Sequence, residues 1–87
     1  MIKKMYCIFD ALAKQAADPV VCPNDDVAKR YFAFVLSKQP SFAKDCQLCL
    51  VGTFDDELMR VEKIEDGSIR VVYDYNELLE DLKKDEQ

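Results

Sequence analysis

The chain has 87 residues and a net charge of −5 at pH 7, with 49% hydrophobic and 33% charged residues. That length holds one domain, 1–87, which buries roughly 60–65% of the surface its unfolded chain would expose, and the composition is globular rather than disordered. The acidic balance repels a phosphate backbone at long range and disfavours tight, non-specific DNA binding. No apolar run approaches the roughly 20 residues of a membrane-spanning helix.

The charge is unevenly spread. Lys3, Lys4, Lys14, Lys29, Arg30, Lys38 and Lys44 all lie in the first half, against five acids at Asp10, Asp18, Asp25, Asp26 and Asp45. Most of the remaining acids lie in the second half, so the first half is mildly positive and could carry a local basic edge. Met1–Met5 opens with lysines but lacks the uninterrupted apolar core of a signal peptide, which leaves the cytoplasm as the expected location.

Met5–Phe9 is rich in β-formers and reads as a first strand. Ala11–Ala17 is alanine-rich and fits either a short helical turn or a hairpin tip. Pro19–Cys22 reads as a brief second strand ended by Pro23. Asn24 is then a good helix cap, and Asp25 and Asp26 sit in the first turn, where the helix dipole favours negative charge. Val27, Ala28, Tyr31, Phe32, Val35 and Leu36 recur at helical spacing, predicting an amphipathic helix to Lys38 with Pro40 beyond its end. Asp25–Lys29 and Asp26–Arg30 are spaced as i,i+4 ion pairs.

Gln47–Phe54 reads as the central strand. Its apolar residues fall on both faces, the pattern of a strand covered on both sides. Asp55-Asp56-Glu57 marks a turn, Met59–Ile64 a strand with Arg60, Glu62 and Lys63 on a wet face, and Asp66-Gly67 a hairpin turn. Ile69–Tyr73 returns as a further strand. Asp74-Tyr75-Asn76-Glu77 has the form of a capping box, followed by Leu78, Leu79 and Leu82 on one helical stripe, with Lys83 and Lys84 near the helix end. Residues Asp85-Glu86-Gln87 are expected to fray. The order predicts an α+β fold: a small antiparallel sheet packed on one main helix, with a C-terminal helix.

Four cysteines and no histidine raise the question of metal or redox chemistry. Cys46-Gln47-Leu48-Cys49 opens a strand, so alternation points its two sulfurs to opposite faces, and no second Cys-x-x-Cys or knuckle glycine accompanies it. No helix follows Cys49 to activate a thiolate. Cys7, Cys22, Cys46 and Cys49 therefore read as small buried hydrophobes, with a zinc or redox module as the alternative. Without histidine the commonest general base is missing. The two glycines stand fifteen residues apart, too far to form a phosphate-cradling loop. No catalytic residue, metal ligand or cofactor is expected.

Three ordered stretches resemble a known family. Tyr6-Cys7-Ile8-Phe9-Asp10, Asn24-Asp25-Asp26-Val27-Ala28-Lys29-Arg30-Tyr31-Phe32 and Gly52-Thr53-Phe54-Asp55 are similar in order and spacing to segments of the small nonstructural protein of gokushovirus-type microviruses, which are single-stranded DNA phages. The likeness runs over about residues 4–56. A His-Pro-x-Asp-Tyr-like segment of that family has no counterpart in Phe42–Cys46, and the chain from Met59 onward matches none of its motifs. The resemblance implies a phage-encoded, non-capsid accessory protein in the host bacterial cytoplasm, assisting single-stranded DNA synthesis or packaging. A protein partner in the phage or host replication or packaging machinery is the first expectation. Direct single-stranded DNA binding through a basic edge is the second. Asn24, Asp25, Lys29 and Arg30 are the candidate binding residues, although each also has a local structural explanation.

Overall fold

A computed structural model describes residues 1–64 and 67–85. The long strands β1 (Ile2–Asp10) and β4 (Cys46–Asp55) pair antiparallel from Ile2↔Asp55 to Asp10↔Cys46 and form the centre of one sheet. Two short strands share the free edge of β1: β2 (Gln15–Ala16) and β3 (Val20–Cys22). Two more, β5 (Arg60–Lys63) and β6 (Arg70–Asp74), divide the far edge of β4 between them. Helices α1 (Asp25–Lys38) and α2 (Tyr75–Asp85) complete the expected α+β architecture.

The alanine-rich stretch resolves as a hairpin. Asp10 accepts from the backbone N–H groups of Leu12 and Ala13 at 3.0 and 3.1 Å, an Asx-type turn that bends the chain back on itself. Lys14 takes a left-handed conformation (φ 58°), after which Gln15–Ala16 pair with the end of β1. In the expected Asp66-Gly67 turn, Gly67 has φ +75° and its N–H donates to the Ile64 carbonyl at 2.7 Å. Asp66 lies outside the described residues, as do Glu86 and Gln87 of the expected frayed end.

Both ends of α1 follow from the sequence. The Asn24 side chain accepts from the Val27 N–H at 3.0 Å, and Asp25 and Asp26 occupy the first turn. The helix ends at Lys38, and the Gln39 N–H closes onto the Leu36 carbonyl at 3.2 Å just before Pro40. At α2, Asp74 caps as expected, accepting from the Glu77 N–H at 2.8 Å.

The core lies between one face of the sheet and α1. Tyr6, Ile8, Leu48, Leu50 and Tyr73 rise from the strands to meet Ala28, Phe32 and Leu36 of the helix, and Leu78 adds the contribution of α2. Phe32 packs edge-on to Tyr73, with ring centroids 5.8 Å apart. Two register shifts tune the sheet, at Met5/Tyr6 between β1 and β4, and at Leu48/Cys49 between β4 and β6. Gly52 is required where β5 pairs, because a Cβ there would stand 2.5 Å from the Glu62 carbonyl oxygen.

Candidate functional site

The residues singled out at the start of α1 do different jobs. Asn24 is the helix cap. Asp25 looks across to β1, where it accepts a short hydrogen bond from the Tyr6 hydroxyl and lies 3.4 Å from the Lys4 ammonium. The Tyr6 bond holds the Asp25 carboxyl below its ordinary range against the opposing effect of partial burial, and the charges of Lys4 and Lys29 add to it. Burial first, and then the Asp25 carboxylate, push the Tyr6 phenol well above its ordinary range, so it remains a donor.

The expected i,i+4 ion pairs are not formed. Lys29 places its ammonium 5.0 Å from the centroid of the Tyr73 ring and acts on Asp25 only at longer range. Arg30 is exposed and makes no ion pair with Asp26. The first departure has a visible cause: the first turn of α1 packs against the sheet, so Asp25 meets Tyr6 and Lys4 of β1 and Lys29 meets Tyr73 of β6. The structure therefore brings Asn24, Asp25 and Lys29 together as a structural joint. Of the four, Arg30 alone is left with its charge uncommitted.

Cys46 and Cys49 lie on opposite faces of β4, as alternation requires. Cys46 is in the helix-side core and its thiol donates to the Phe42 carbonyl at 3.2 Å. Cys49 faces Cys7 directly across β1. All four cysteines are free, and burial pushes every thiol upward, with neighbouring acids adding to the effect at Cys7 and Cys46. Among the described residues no three Cys, Asp or Glu side chains converge as a metal site would need.

A different feature was not legible in the linear sequence. An open groove of about 430 Å³ runs between the β1–β2 hairpin and the C-terminal half of α1. Buried Ile8, Leu36 and Cys46 line its depth, while Tyr31 and Val35 of the helix and Phe42 of the following 3₁₀ turn form a more exposed wall. Asp10 is the charged residue of the lining, with Gln15 and Gln39 as its other polar side chains, so the groove is apolar ground with a polar and acidic edge. The aromatic stripe of α1 is thus divided: Phe32 is core, and Tyr31 belongs to the groove. A helical period marks a stripe, but only the position of the hairpin decides which of its members stay accessible.

This two-helix, single-sheet arrangement is the structural setting of the family comparison. The family model described as Phage ORF5 protein matches residues 3–77, and the chain belongs to that family. It is a phage protein, and the match extends through β5 and β6, where the sequence motifs had been silent. No curated protein matches the chain, and no solved structure does. No helix among the described residues is long and apolar enough to cross a membrane.

Proposed function

We propose that this chain is a nonstructural accessory protein of a microvirus-type phage, acting by protein contacts in single-stranded DNA synthesis or packaging within the host cytoplasm, without catalysis of its own. The observation that carries this reading is the groove between the hairpin and α1. Tyr31, Val35 and Phe42 offer apolar and aromatic surface at its wall, which favours a partner segment that presents apolar side chains. Membership of a phage family supports the biological setting. The single-strand reading draws less support, because Lys29 is engaged with Tyr73 and leaves Arg30 to serve the edge.

A photo-crosslinking amino acid at position 31 of the full chain, expressed in phage-infected cells, tests the proposal. The expected result is an adduct with a phage or host replication or packaging protein that disappears in a Phe42→Glu background. Crosslinking to single-stranded DNA alone, or an adduct pattern indifferent to Phe42→Glu, overturns it.

A further inference from the structure

The two long strands end alike. Phe9-Asp10 closes β1 and Phe54-Asp55 closes β4, and each aspartate opens a four-residue hairpin tip. Asp10 accepts from the N–H groups of Leu12 and Ala13, and Asp55 accepts from those of Glu57 and Leu58 at 3.0 and 3.3 Å. Each tip ends on a residue in the left-handed region, Lys14 at φ 58° and Met59 at φ 54°. Among the described residues no other non-glycine residue has a positive φ. That conformation is uncommon away from glycine, so its return at the fourth place of both tips is a specific likeness. The pairing beyond the tips repeats as well. Asp10↔Gln15 and Phe9↔Ala16 recur as Asp55↔Arg60 and Phe54↔Val61, each residue 45 places further along the chain.

The likeness continues to the helices. In both halves the outer strand breaks after the hairpin and re-forms on the other end of the same long strand. It does so as β3 on Lys4–Tyr6 and as β6 on Gln47–Leu50. A side-chain oxygen then caps the helix at the third residue onward: Asn24 accepts from the Val27 N–H and Asp74 from that of Glu77. The next residue of each helix, Ala28 or Leu78, is buried in one shared core.

A symmetry operation relates the halves. β1 and β4 are antiparallel neighbours, so a two-fold axis perpendicular to the sheet, passing beside Tyr6 and Leu50, exchanges them. Such an axis leaves each face of the sheet on its own side, and both helices do reach the same core. It also requires contacts between the halves to come in reciprocal pairs. The Ala11 N–H donates to the Asp45 carbonyl at 2.9 Å, and the Asp56 N–H donates to the Met1 carbonyl at 3.2 Å. Each donor is the first residue of a tip, and each acceptor immediately precedes a long strand.

We infer that the chain is an internal duplication: two ββα units with a broken second strand, 1–38 and 46–85, joined in tandem and related by this axis. The units have diverged where the groove lies. Ala17 bonds Ile8 in the groove lining, whereas its counterpart Glu62 pairs with Thr53 and holds its carboxylate 3.7 Å from the Arg60 guanidinium. Arg60 is itself the counterpart of Gln15. Counted from the caps, Tyr31 of the groove wall corresponds to exposed Asp81. The unit thus folds with charged residues at these places, and the apolar groove of the first unit is not a demand of its fold. The duplication does not depend on the accessory role proposed above.

Circular permutation of the full chain tests the axis. With equivalent units, the passage from α2 back to β1 repeats the passage from α1 to β4, which spans Gln39–Asp45. The permutant is opened between exposed Pro40 and Ser41, and Gln87 is joined to Met1 by a Gly-Ser linker of about five or about nine residues. It should keep the wild-type circular dichroism and unfold in one cooperative transition. A permutant that stays unfolded with both linkers overturns the inference. Denaturant unfolding of hairpin variants supplies a second reading. Lys14→Gly and Met59→Gly should each raise the midpoint, because glycine takes a positive φ without strain. Ala13→Gly and Leu58→Gly, one place earlier, should each lower it. A gain at one hairpin with a loss at the equivalent position of the other overturns the inference as well. Crosslinking through position 31 reads none of these properties, so the two proposals can fail separately.

Discussion

The two faces of the sheet are similarly apolar and differently used. On one, Tyr6, Ile8, Leu48, Leu50 and Tyr73 are roofed by Ala28, Phe32 and Leu36 and reach near-complete burial. On the other, Met5, Phe9, Phe54, Val61 and Val71 have no helix above them. Apolar area stabilises a fold only when it leaves water. The covered face therefore carries most of the burial, and the other face, where Cys49 is buried and Met5, Cys7, Phe9 and Phe54 are half-buried, carries less. Among the described residues no helix roofs this second face, so the apolar pattern of the sequence does not by itself tell a roofed face from an unroofed one.

The largest expected effect separates these roles. Phe32→Ala removes a fully buried ring packed on Tyr73 and should cost about 3–5 kcal/mol in denaturant unfolding, a large share of the stability of so small a domain. Val61→Ala, at an exposed position on the other face, should stay within about 0.5 kcal/mol. A loss of several kcal/mol from Val61→Ala would mean that this face is already part of the core.

A smaller effect is expected where the roof begins. Asn24→Ala removes the side-chain acceptor for the Val27 N–H and should lower stability by about 1 kcal/mol, with a matching decrease in helix content on mild heating. An unchanged midpoint would show that contact with the sheet, rather than the cap, determines where α1 starts.

Local signals were readable and distant ones were not. Asn24, the two aspartates after it and the 3.6-residue stripe placed α1 from Asp25 to Lys38, because a cap and a periodicity are properties of neighbouring residues. Asp74 likewise announced α2. The continuous apolar run at Leu48–Val51 was legible as a strand with two apolar sides. The absence of a second layer on one of them was not, since that depends on which way both helices fold back. Lys29 shows the same limit. Its sequence neighbour Asp25 predicted an ion pair, and the ring it meets belongs to Tyr73, in a strand formed far down the chain. The groove depends on the β1–β2 hairpin lying beside α1, and no spacing within Ala11–Ala17 encodes that. Of the candidate site, the residue types at the helix start were visible, and their employment in the joint between α1 and β1 was not.

That joint supplies the finest test, because it couples the edge of the covered face to pH. The Asp25 carboxyl is held below its ordinary range chiefly by the hydrogen bond from Tyr6, with Lys4 and Lys29 assisting. In the unfolded chain the same carboxyl titrates near about 3.9. A carboxyl whose folded value is depressed adds stability that is fully present above the unfolded value and is lost as pH falls through the folded one. The Asp25 side chain is 42% exposed, so solvent screening keeps the contribution to roughly 0.2–1 kcal/mol. Asp25→Asn retains an acceptor for the Tyr6 hydroxyl and removes only the charge. Wild type should therefore unfold at slightly higher denaturant than Asp25→Asn at pH 7, and the gap should close as the pH is lowered beneath the carboxylate range. The measurement is a pair of denaturant curves for both proteins at each pH. A gap that is constant with pH would assign the Tyr6–Asp25 contact to shape and hydrogen bonding alone. A gap that widens in acid would reverse the sign argued here and place the charge of Asp25 among the costs of folding rather than its supports.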